Sequence, residues 1–356
     1  MSFDRLPGHP QDEATEALIQ QLDASGDYRV IRRLVTEGLT VYDEPLPGEE
    51  IRTALVVDTE TTGLSPDVDD IIELGMVKFE FGVESGRVLR IVDTLDMLED
   101  PGRPLDPVIT EVTGLTDADV AGKYIDDDAV LAMLEGVQTI IAHNAGFDRR
   151  FCEKRIPAMM KKAWACSLAQ IPWRKEAGAP SAKLEFLAYM QGFFYPAHRA
   201  ENDCRATLHL LAGSLFKGAR HEAFKTLRAN CGRRTVHLWL DKLPFESKDA
   251  AKNAGYVWGD GTDGRPKAWN KEVYPEDIPA EIAQIIPWYE ADKNGKGAAL
   301  LKEVVGYQIS PLDRFSLRMG TEYDWETLQR MAERYKEEVP ATAEDTAPTQ
   351  PEPTAA

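Results

Sequence analysis

The sequence is poor in cysteine and has no long apolar segment. Its four cysteines include no Cys-x-x-Cys pair, which argues against a structural zinc site and suits reduced, buried thiols. No apolar run approaches the roughly 20 residues that a membrane-spanning helix requires. The N-terminus is polar and acidic and lacks the apolar centre of a signal peptide, so a cytoplasmic location is expected.

Positive charge is also scarce. The 356 residues contain 41 Lys and Arg against 60 Asp and Glu, for a net charge of −19. This balance argues against a surface coated with basic residues for non-specific binding to duplex nucleic acid. The distribution is uneven, because residues 91–128 hold 11 acidic and 2 basic side chains while residues 215–271 hold 6 acidic and 12 basic ones. The second range could therefore face phosphate groups.

Composition shifts and turn residues divide the chain into five predicted segments. Hydrophobic residues make up 43% and charged residues 28%, as in globular proteins. The segments are an N-terminal extension with a short amphipathic helix at 27–37 (1–50), a large α/β domain (51–217), a basic segment with a small α+β module (218–273), a helical region (274–339) and a disordered tail (340–356). The module is expected to contain a strand at 236–240 and a hairpin around the glycine-rich turn at 259–264.

The large domain shows strands first and helices later. Predicted strands are 53–58, 71–81, 88–95 and 138–143, and predicted helices are about 117–134, 144–154, 181–191 and 201–216. The first strand is apolar until it ends in a carboxylate, as is typical of a central strand buried on both faces. This order of elements predicts an α/β fold with a mixed sheet flanked by helices.

Two carboxylates lie at the end of that first strand. Asp58 and Glu60 are two residues apart, so both side chains point to the same face of the sheet. Two carboxylates at the carboxyl end of a strand are well placed to hold a hard divalent cation. Taken alone, the Asp-x-Glu pattern more often marks a solvated strand end.

Three further residues complete a candidate constellation. Asp148 lies in the first turn of a helix that follows the strand at 138–143, and Asp203 lies in the first turn of the last helix. His198 precedes Asp203 by five positions and lies in a loop. An acid at a helix start also suits the helix dipole, and a single loop histidine is usually a surface residue, so each position has a structural alternative.

Order and spacing join these residues into three motifs. The strings VVDTETTGL at 56–64, HNAGFDRRF at 143–151 and HRAENDCRA at 198–206 resemble the three signature segments of the DEDD exonuclease superfamily. The resemblance is to its histidine subclass, which includes the proofreading epsilon subunit of bacterial DNA polymerase III and RNase T. The tyrosine subclass would require Tyr where Arg199 stands. The resemblance covers about 165 residues and implies a ribonuclease H-like fold.

The resemblance also implies a metal-dependent 3′–5′ exonuclease. Asp58, Glu60 and Asp203 would hold one Mg²⁺ ion, Asp58 would bridge to a second ion held by Asp148, and Mn²⁺ is expected to substitute. Two such cations can activate water and neutralise charge on a phosphodiester in the transition state. His198 would take the proton from the attacking water, since the imidazole of histidine has an ordinary pKa of about 6.5 and can act as a base near neutral pH.

The same resemblance implies how a 3′ end is held. Backbone groups of the segment Thr61-Thr62-Gly63 would contact the terminal nucleotide, Leu64 would pack on its base, and Asn144 and Phe147 would line the path. Packing on apolar or aromatic groups tolerates any base. Core packing remains an alternative for Leu64 and Phe147, and helix capping for Asn144.

Three functions from different classes are open at this point. The first is an exonuclease on single-stranded 3′ ends, with DNA in proofreading or repair favoured over RNA because the chain is longer than compact exoribonucleases. The second is a non-catalytic nucleic-acid-binding or polymerase-associated module, and the third is an interaction scaffold built on the C-terminal half. A DNA polymerase or a repair complex is the expected partner class, and the sequence leaves the oligomeric state open.

Overall fold

The protein is described by a computed structural model that covers residues 13–35, 37–38 and 40–338. The predicted disordered tail at 340–356 lies outside the described residues. The chain forms two compact units, Met1–Arg233 with Pro311–Arg318, and Arg234–Ser310 with Met319–Ala356. Within the described part of the chain, no helix is both long and apolar enough to cross a membrane.

The first unit is built from strands and helices that alternate after residue 98. Its strands are β1 (Arg32–Arg33), β2 (Ile51–Thr61), β3 (Ile71–Gly82), β4 (Val88–Leu98), β5 (Val137–Ala142), β6 (Ala163–Cys166) and β7 (Phe193–Phe194). Its α-helices are α1 (Glu13–Ser25), α2 (Pro107–Thr113), α3 (Asp117–Val120), α4 (Asp127–Leu134), α5 (Ala145–Arg155), α6 (Trp173–Ala177), α7 (Leu184–Gln191), α8 (Ala200–Ala212) and α9 (Glu222–Cys231).

Five of these strands form the main sheet, in the order β4-β3-β2-β5-β6. Strands β2, β3 and β4 are antiparallel neighbours, whereas β5 and β6 run parallel to β2. The parallel strands require crossover connections, which here contain helices. The predicted ribonuclease H-like mixed sheet flanked by helices is confirmed.

Strand β2 is buried on both faces and separates two apolar clusters. Ala54 and Val56 belong to the cluster that includes residues of α8, whereas Leu55 and Val57 belong to the cluster that includes residues of α5. Successive strand residues point to opposite faces, so this alternation sets which side chain of the next segment meets which helix. Asp58 and Glu60 continue the α8 side, and Thr59 continues the α5 side.

The N-terminal extension differs from its prediction. The expected helix at 27–37 is wrong, because Arg32–Arg33 forms a short strand that pairs in parallel with Phe193–Phe194. Leu34 is buried at 5% exposure, and its amide donates to the carbonyl of Phe194 at 2.8 Å. Pairing with a segment 160 positions away outweighs the local helical pattern, which the sequence alone could not reveal.

Residues 311–318 return to the first unit and pack near α5. Arg149 of α5 is fully buried, and its guanidinium donates to the carbonyls of Arg314 and Leu312, the latter at 2.7 Å. Glu153 accepts from Arg149 at 2.6 Å and pairs with Arg318 at 3.3 Å. This segment therefore satisfies a buried charge on the helix that carries Asp148.

The second unit is an antiparallel sheet in the order β12-β11-β8-β10-β9. Its strands are β8 (Thr235–Leu240), β9 (Val257–Trp258), β10 (Trp269–Val273), β11 (Val304–Ile309) and β12 (Glu322–Tyr323), and its α-helices are α10 (Lys248–Asn253), α11 (Ile278–Glu290), α12 (Gly297–Leu300) and α13 (Trp325–Glu338). The predicted strand at 236–240 and the hairpin are confirmed. Sequence analysis did not identify β11, which lies inside the region expected to be helical.

Candidate active site

The end of β2 brings three carboxylates together. Asp58 and Glu60 point toward α8, whose first turn carries Asp203. One ligand oxygen from each of these residues lies within 4.8 Å of the others. All three side chains remain partly accessible or lie at the border of burial, so the cluster opens to solvent. Three oxygen donors at this spacing suit a hard divalent cation.

Helix α8 reaches the sheet because β3 has a glycine opposite Asp58. Gly75 pairs with Asp58 in the strand register. A Cβ at this glycine would lie only 2.2 Å from the backbone carbon of Ala200, at the start of α8. The thiol of Cys204 donates to the carbonyl of Gly75 at 3.3 Å. The close approach places Asp203 over the strand end, and Cys204 has the packing role expected for it.

Asp148 lies on the other side of β2. It is 3% exposed, and its Oδ1 atom accepts from the amide of Thr59 at 3.1 Å and from the hydroxyl at 3.0 Å. Burial is the largest cause of the raised pKa of Asp58, and the charge of Asp148 is the next largest. Asp148 is not among the three residues whose ligand atoms lie within 4.8 Å. Asp148 is thus close enough to Asp58 for its charge to act on that carboxyl, and its part in a second metal site stays a prediction.

Asp203 is held by groups from the loop before α8. The hydroxyl of Tyr195 donates to Oδ1 at 2.8 Å, and the amide of Arg199 donates to Oδ2 at 3.3 Å. His198 lies between these two residues and is exposed, with a left-handed φ of 61°. A positive charge at His198 would favour the ionised form of Asp203 and lower the pKa of that carboxyl, although burial outweighs this effect.

Burial raises the pKa of every carboxyl in this group, and repulsion from neighbouring carboxylates adds to the rise at Asp58, Glu60 and Asp148. Burial is the largest cause in each case. The pKa of Glu60 rises to about 8, that of Asp148 to about 7 and that of Asp203 to about 6, and the pKa of Asp58 is also well above its ordinary value. The ionised forms of these carboxyls are therefore disfavoured until a cation binds. Clustered, perturbed carboxyls of this kind are typical of functional sites.

The segment after β2 presents an apolar side chain to solvent. Leu64 is 85% exposed, which argues against the core-packing alternative for this residue. The segment is nevertheless well anchored, since the amide of Thr62 donates to the carbonyl of Asp70 at 2.9 Å. The hydroxyl of Thr61 donates to the carbonyl of Gly63 at 2.6 Å. This hydrogen-bonded loop therefore leaves the Leu64 side chain accessible to a ligand.

The two other expected substrate contacts differ in their surroundings. Asn144 is exposed, and its side chain forms no capping hydrogen bond at the start of α5. Phe147 is half-buried and packs on Phe151 with ring centroids 4.9 Å apart. Asn144 is therefore available to a ligand, whereas Phe147 contributes to the core as well as to the surface.

In the basic segment that follows α8, two arginines contact other residues of the first unit. Arg220 donates to the carbonyl of Tyr42 at 2.6 Å, and Arg228 donates to the carbonyl of Val83 at 3.0 Å and lies over the Phe81 ring. These contacts favour a structural role for the two arginines. In the module that follows, Trp239 and Tyr256 are 1% and 2% exposed, as expected for a packed small core.

Sequence analysis missed three residues around the site, Glu73, Tyr195 and Arg199. Glu73 is fully buried on β3, in register with Glu60, and pairs with Arg199 at 2.8 Å. The only sequence signal was a carboxylate inside an otherwise apolar strand pattern. Tyr195 and Arg199 flank His198, but nothing in the string shows which groups they contact.

Comparison with known proteins gives matches over the same region. Residues 55–211 match the family model described as RNase_T: Exonuclease. The DNA polymerase III PolC-type of Clostridium perfringens (strain 13 / Type A) is 27% identical over 305 residues, which is 78% of this chain and 20% of that protein. The PolC-type enzyme of Bacillus cereus is 38% identical over 130 residues, which is 35% of this chain and 8% of that protein.

The chain thus spans a fifth or less of the length of these two polymerases. The 78% coverage exceeds the matched exonuclease segment, so the similarity to the first polymerase continues outside residues 55–211. Among solved structures, Exonuclease X in complex with 5′ overhanging duplex DNA is 28% identical, with a TM-score of 0.34. That match covers 44% of this chain and 88% of the other.

Proposed function

We propose that this chain, which carries a metal-dependent exonuclease domain of the DEDD superfamily at residues 55–211, removes nucleotides from the 3′ ends of single-stranded DNA. The observation that carries the proposal is the convergence of Asp58, Glu60 and Asp203 within 4.8 Å at the open end of the sheet, with Asp148 beside them. The family match supports the reaction class, and the geometry supports this choice of residues.

The residues fit divalent cations by their chemistry. All donors are carboxylate oxygens, which Mg²⁺ prefers, and burial together with repulsion from neighbouring carboxylates opposes the ionisation of Asp58 and Glu60 until a cation binds. Asp58, Glu60 and Asp203 would hold one ion, and Asp58 with Asp148 the other, with Mn²⁺ as a substitute. When bound, two such ions neutralise charge on the phosphate and favour ionisation of water.

Three other side chains activate the water or orient the carboxylates. His198 is exposed beside the cluster and accepts the proton of the attacking water as general base. Thr59 fixes Asp148 through two hydrogen bonds, and Tyr195 fixes Asp203 through one. Such outer contacts orient carboxylates for ligation and limit their rotation.

The end of β2 and the loop that follows it hold the 3′ end. The backbone at Thr61, Thr62 and Gly63 contacts the terminal nucleotide, and the exposed Leu64 side chain packs on the base. Asn144 and Phe147 line the path on the α5 side. Because these contacts are to backbone and base faces, the enzyme accepts any sequence.

DNA is favoured as substrate because the similar curated proteins are named DNA polymerase III PolC-type. The same names support association with a DNA polymerase or a repair complex as the partner class. Trimming of RNA by the same site is the second candidate, since the catalytic carboxylates do not distinguish the two sugars. A module that binds strand ends without cleaving them is the third outcome that the experiment must separate.

The test is digestion of 5′-labelled single-stranded DNA and RNA of one sequence by the full chain, with Mg²⁺, Mn²⁺ or EDTA. We expect a ladder that shortens from the 3′ end with either cation, none with EDTA, and faster loss of DNA. Asp58→Asn should lose at least about 10³-fold in rate, whereas the exposed control Asp67→Asn should not. Full activity of Asp58→Asn, or activity in EDTA, would refute the mechanism, and faster loss of RNA would reverse the substrate assignment.

A further inference from the structure

A fifth carboxylate lies next to the proposed metal ligands. Glu73 of β3 is 0% exposed and is in register with Glu60 of β2. Its ligand atoms are not part of the group of three that lies within 4.8 Å. Two carboxylates opposite each other on neighbouring strands repel, and a buried charge is tolerated only when it is paired. Glu73 therefore requires a cationic partner.

That partner is Arg199, the residue after His198. Its Nε and Nη2 atoms both lie 2.8 Å from Oε1 of Glu73, and the amide of Ala200 donates to Oε2 at 3.2 Å. Asp96 of β4 lies 3.9 Å from the same guanidinium. Both carboxylate oxygens of Glu73 thus contact residues at the start of α8. Glu73 therefore anchors the loop that precedes this helix.

The backbone of Arg199 faces the catalytic side. Its amide donates to Oδ2 of Asp203 at 3.3 Å, while its carbonyl accepts from the amide of Asp203 at 3.0 Å. Side chain and backbone of one residue therefore tie β3 to the proposed ligand Asp203. The conformation of the preceding peptide is fixed by the same contacts.

His198 is the residue that this arrangement constrains. Its φ of 61° is left-handed, a conformation that is strained for a residue with a Cβ atom. Strain of this kind persists only where the surroundings impose it. Here the Arg199 pair holds the chain after the histidine, and the Tyr195 hydrogen bond to Asp203 holds the chain before it.

We propose that Arg199, anchored by Glu73, is a positioning residue that holds the general base His198 over the acidic cluster. The inference rests on the proposed function, because it acts through the role of His198. The two nitrogens that face one carboxylate oxygen belong to a planar guanidinium, so lysine reproduces the charge and only part of the geometry.

The test is a double-mutant cycle with Arg199→Gln and Arg199→Lys in the wild-type and His198→Ala backgrounds. Arg199→Gln should lower kcat about 10–100-fold and change KM less than about 3-fold, as for other outer contacts of an active site. Arg199→Lys should recover part of this loss. In the His198→Ala background, Arg199→Gln should lower kcat by less than about 2-fold. Arg90→Gln, which breaks an exposed pair with Glu80, is the matched control.

A readout in metal-free protein separates this proposal from the proposed function. Imidazole resonances of the six histidines are recorded by NMR at pH 8, and the signal of His198 is the one absent from His198→Ala. Arg199→Gln should shift or broaden that signal and leave the others in place. Equal losses of kcat in both backgrounds, or an unchanged His198 signal, would overturn the positioning role. An inactive wild type would overturn the proposed function, and the His198 signal would then decide the positioning role.

Discussion

Replacing Asp58 by asparagine should stabilise the metal-free protein while it abolishes the proposed activity. Asp58 lies at the centre of the acidic cluster, and the charges of Asp148, Asp203 and Glu60 all oppose its ionisation. The amide of asparagine is close in size to the carboxylate and carries no charge. The substitution therefore removes repulsion without opening a cavity, and it also removes the proposed bridging ligand.

The size of the effect follows from the spacing of the carboxylates. Two unit charges 4.8 Å apart repel by about 3.5 kcal/mol at an effective dielectric constant of about 20. Asp58 has two neighbours within this distance, Glu60 and Asp203, and proton uptake by one of them relieves part of the repulsion. We therefore expect the free energy of unfolding to rise by about 2–4 kcal/mol at pH 8 in EDTA, and Tm by roughly 4–16 °C.

The effect should depend on pH in one direction. The folded-state pKa values of these carboxyls lie above their unfolded values, with Glu60 at about 8 and Asp148 at about 7. The native protein therefore binds more protons than the unfolded chain between about pH 4 and pH 8, and its stability falls as pH rises through this window. The difference between Asp58→Asn and wild type should be small near pH 5 and largest at pH 8.

The assay is thermal unfolding at pH 5 and pH 8, in EDTA and in Mg²⁺, with Asp67→Asn as an exposed control. Mg²⁺ should raise the Tm of wild type and of the control at pH 8 and leave Asp58→Asn nearly unchanged. A variant that melts at or below wild type in EDTA at pH 8 would refute the electrostatic reasoning. Equal stabilisation of all three proteins by Mg²⁺ would refute the assignment of the ligand.

Three other substitutions test how the site is supported. Gly75→Ala should push α8 from the sheet and lower activity on the order of 100-fold, measured on labelled oligonucleotides, since the new Cβ has no room. Tyr195→Phe should cost about 10-fold in activity and weaken Mg²⁺ binding by calorimetry, because Asp203 loses a hydrogen bond. Arg149→Met should lower the free energy of unfolding by about 3 kcal/mol in denaturant titrations, since the carbonyls of Leu312 and Arg314 lose their buried donor. Wild-type values in any of these assays would contradict the corresponding contact.

Local patterns in the sequence were enough to predict four strands of the main sheet but did not identify β6. The apolar run that ends at Asp58 predicted a central strand, and the alternation along it predicted that Glu60 shares its face. The hairpin of the second unit followed from its glycine-rich turn. These features depend on neighbours a few positions apart, and such neighbours are visible in a string of residues.

Pairings between distant segments were not visible there. The short strand Arg32–Arg33 was expected to be helical, and β11 was missed, because each forms only by pairing with a partner far along the chain. Backbone partners of this kind override the weak preference of a few residues. The segment Pro311–Arg318 likewise gave no sign that it would meet the buried Arg149.

The sequence by itself determined which carboxylates and which histidine this protein offers, because their order and spacing identify the motifs. Only the tertiary structure decided that Asp58, Glu60 and Asp203 come within 4.8 Å. It also decided that Glu73 meets Arg199 across a separation of 126 positions. The physical reason is that burial sets the charge and the partner of each group, and burial exists only once α8 has packed on the sheet beside Gly75.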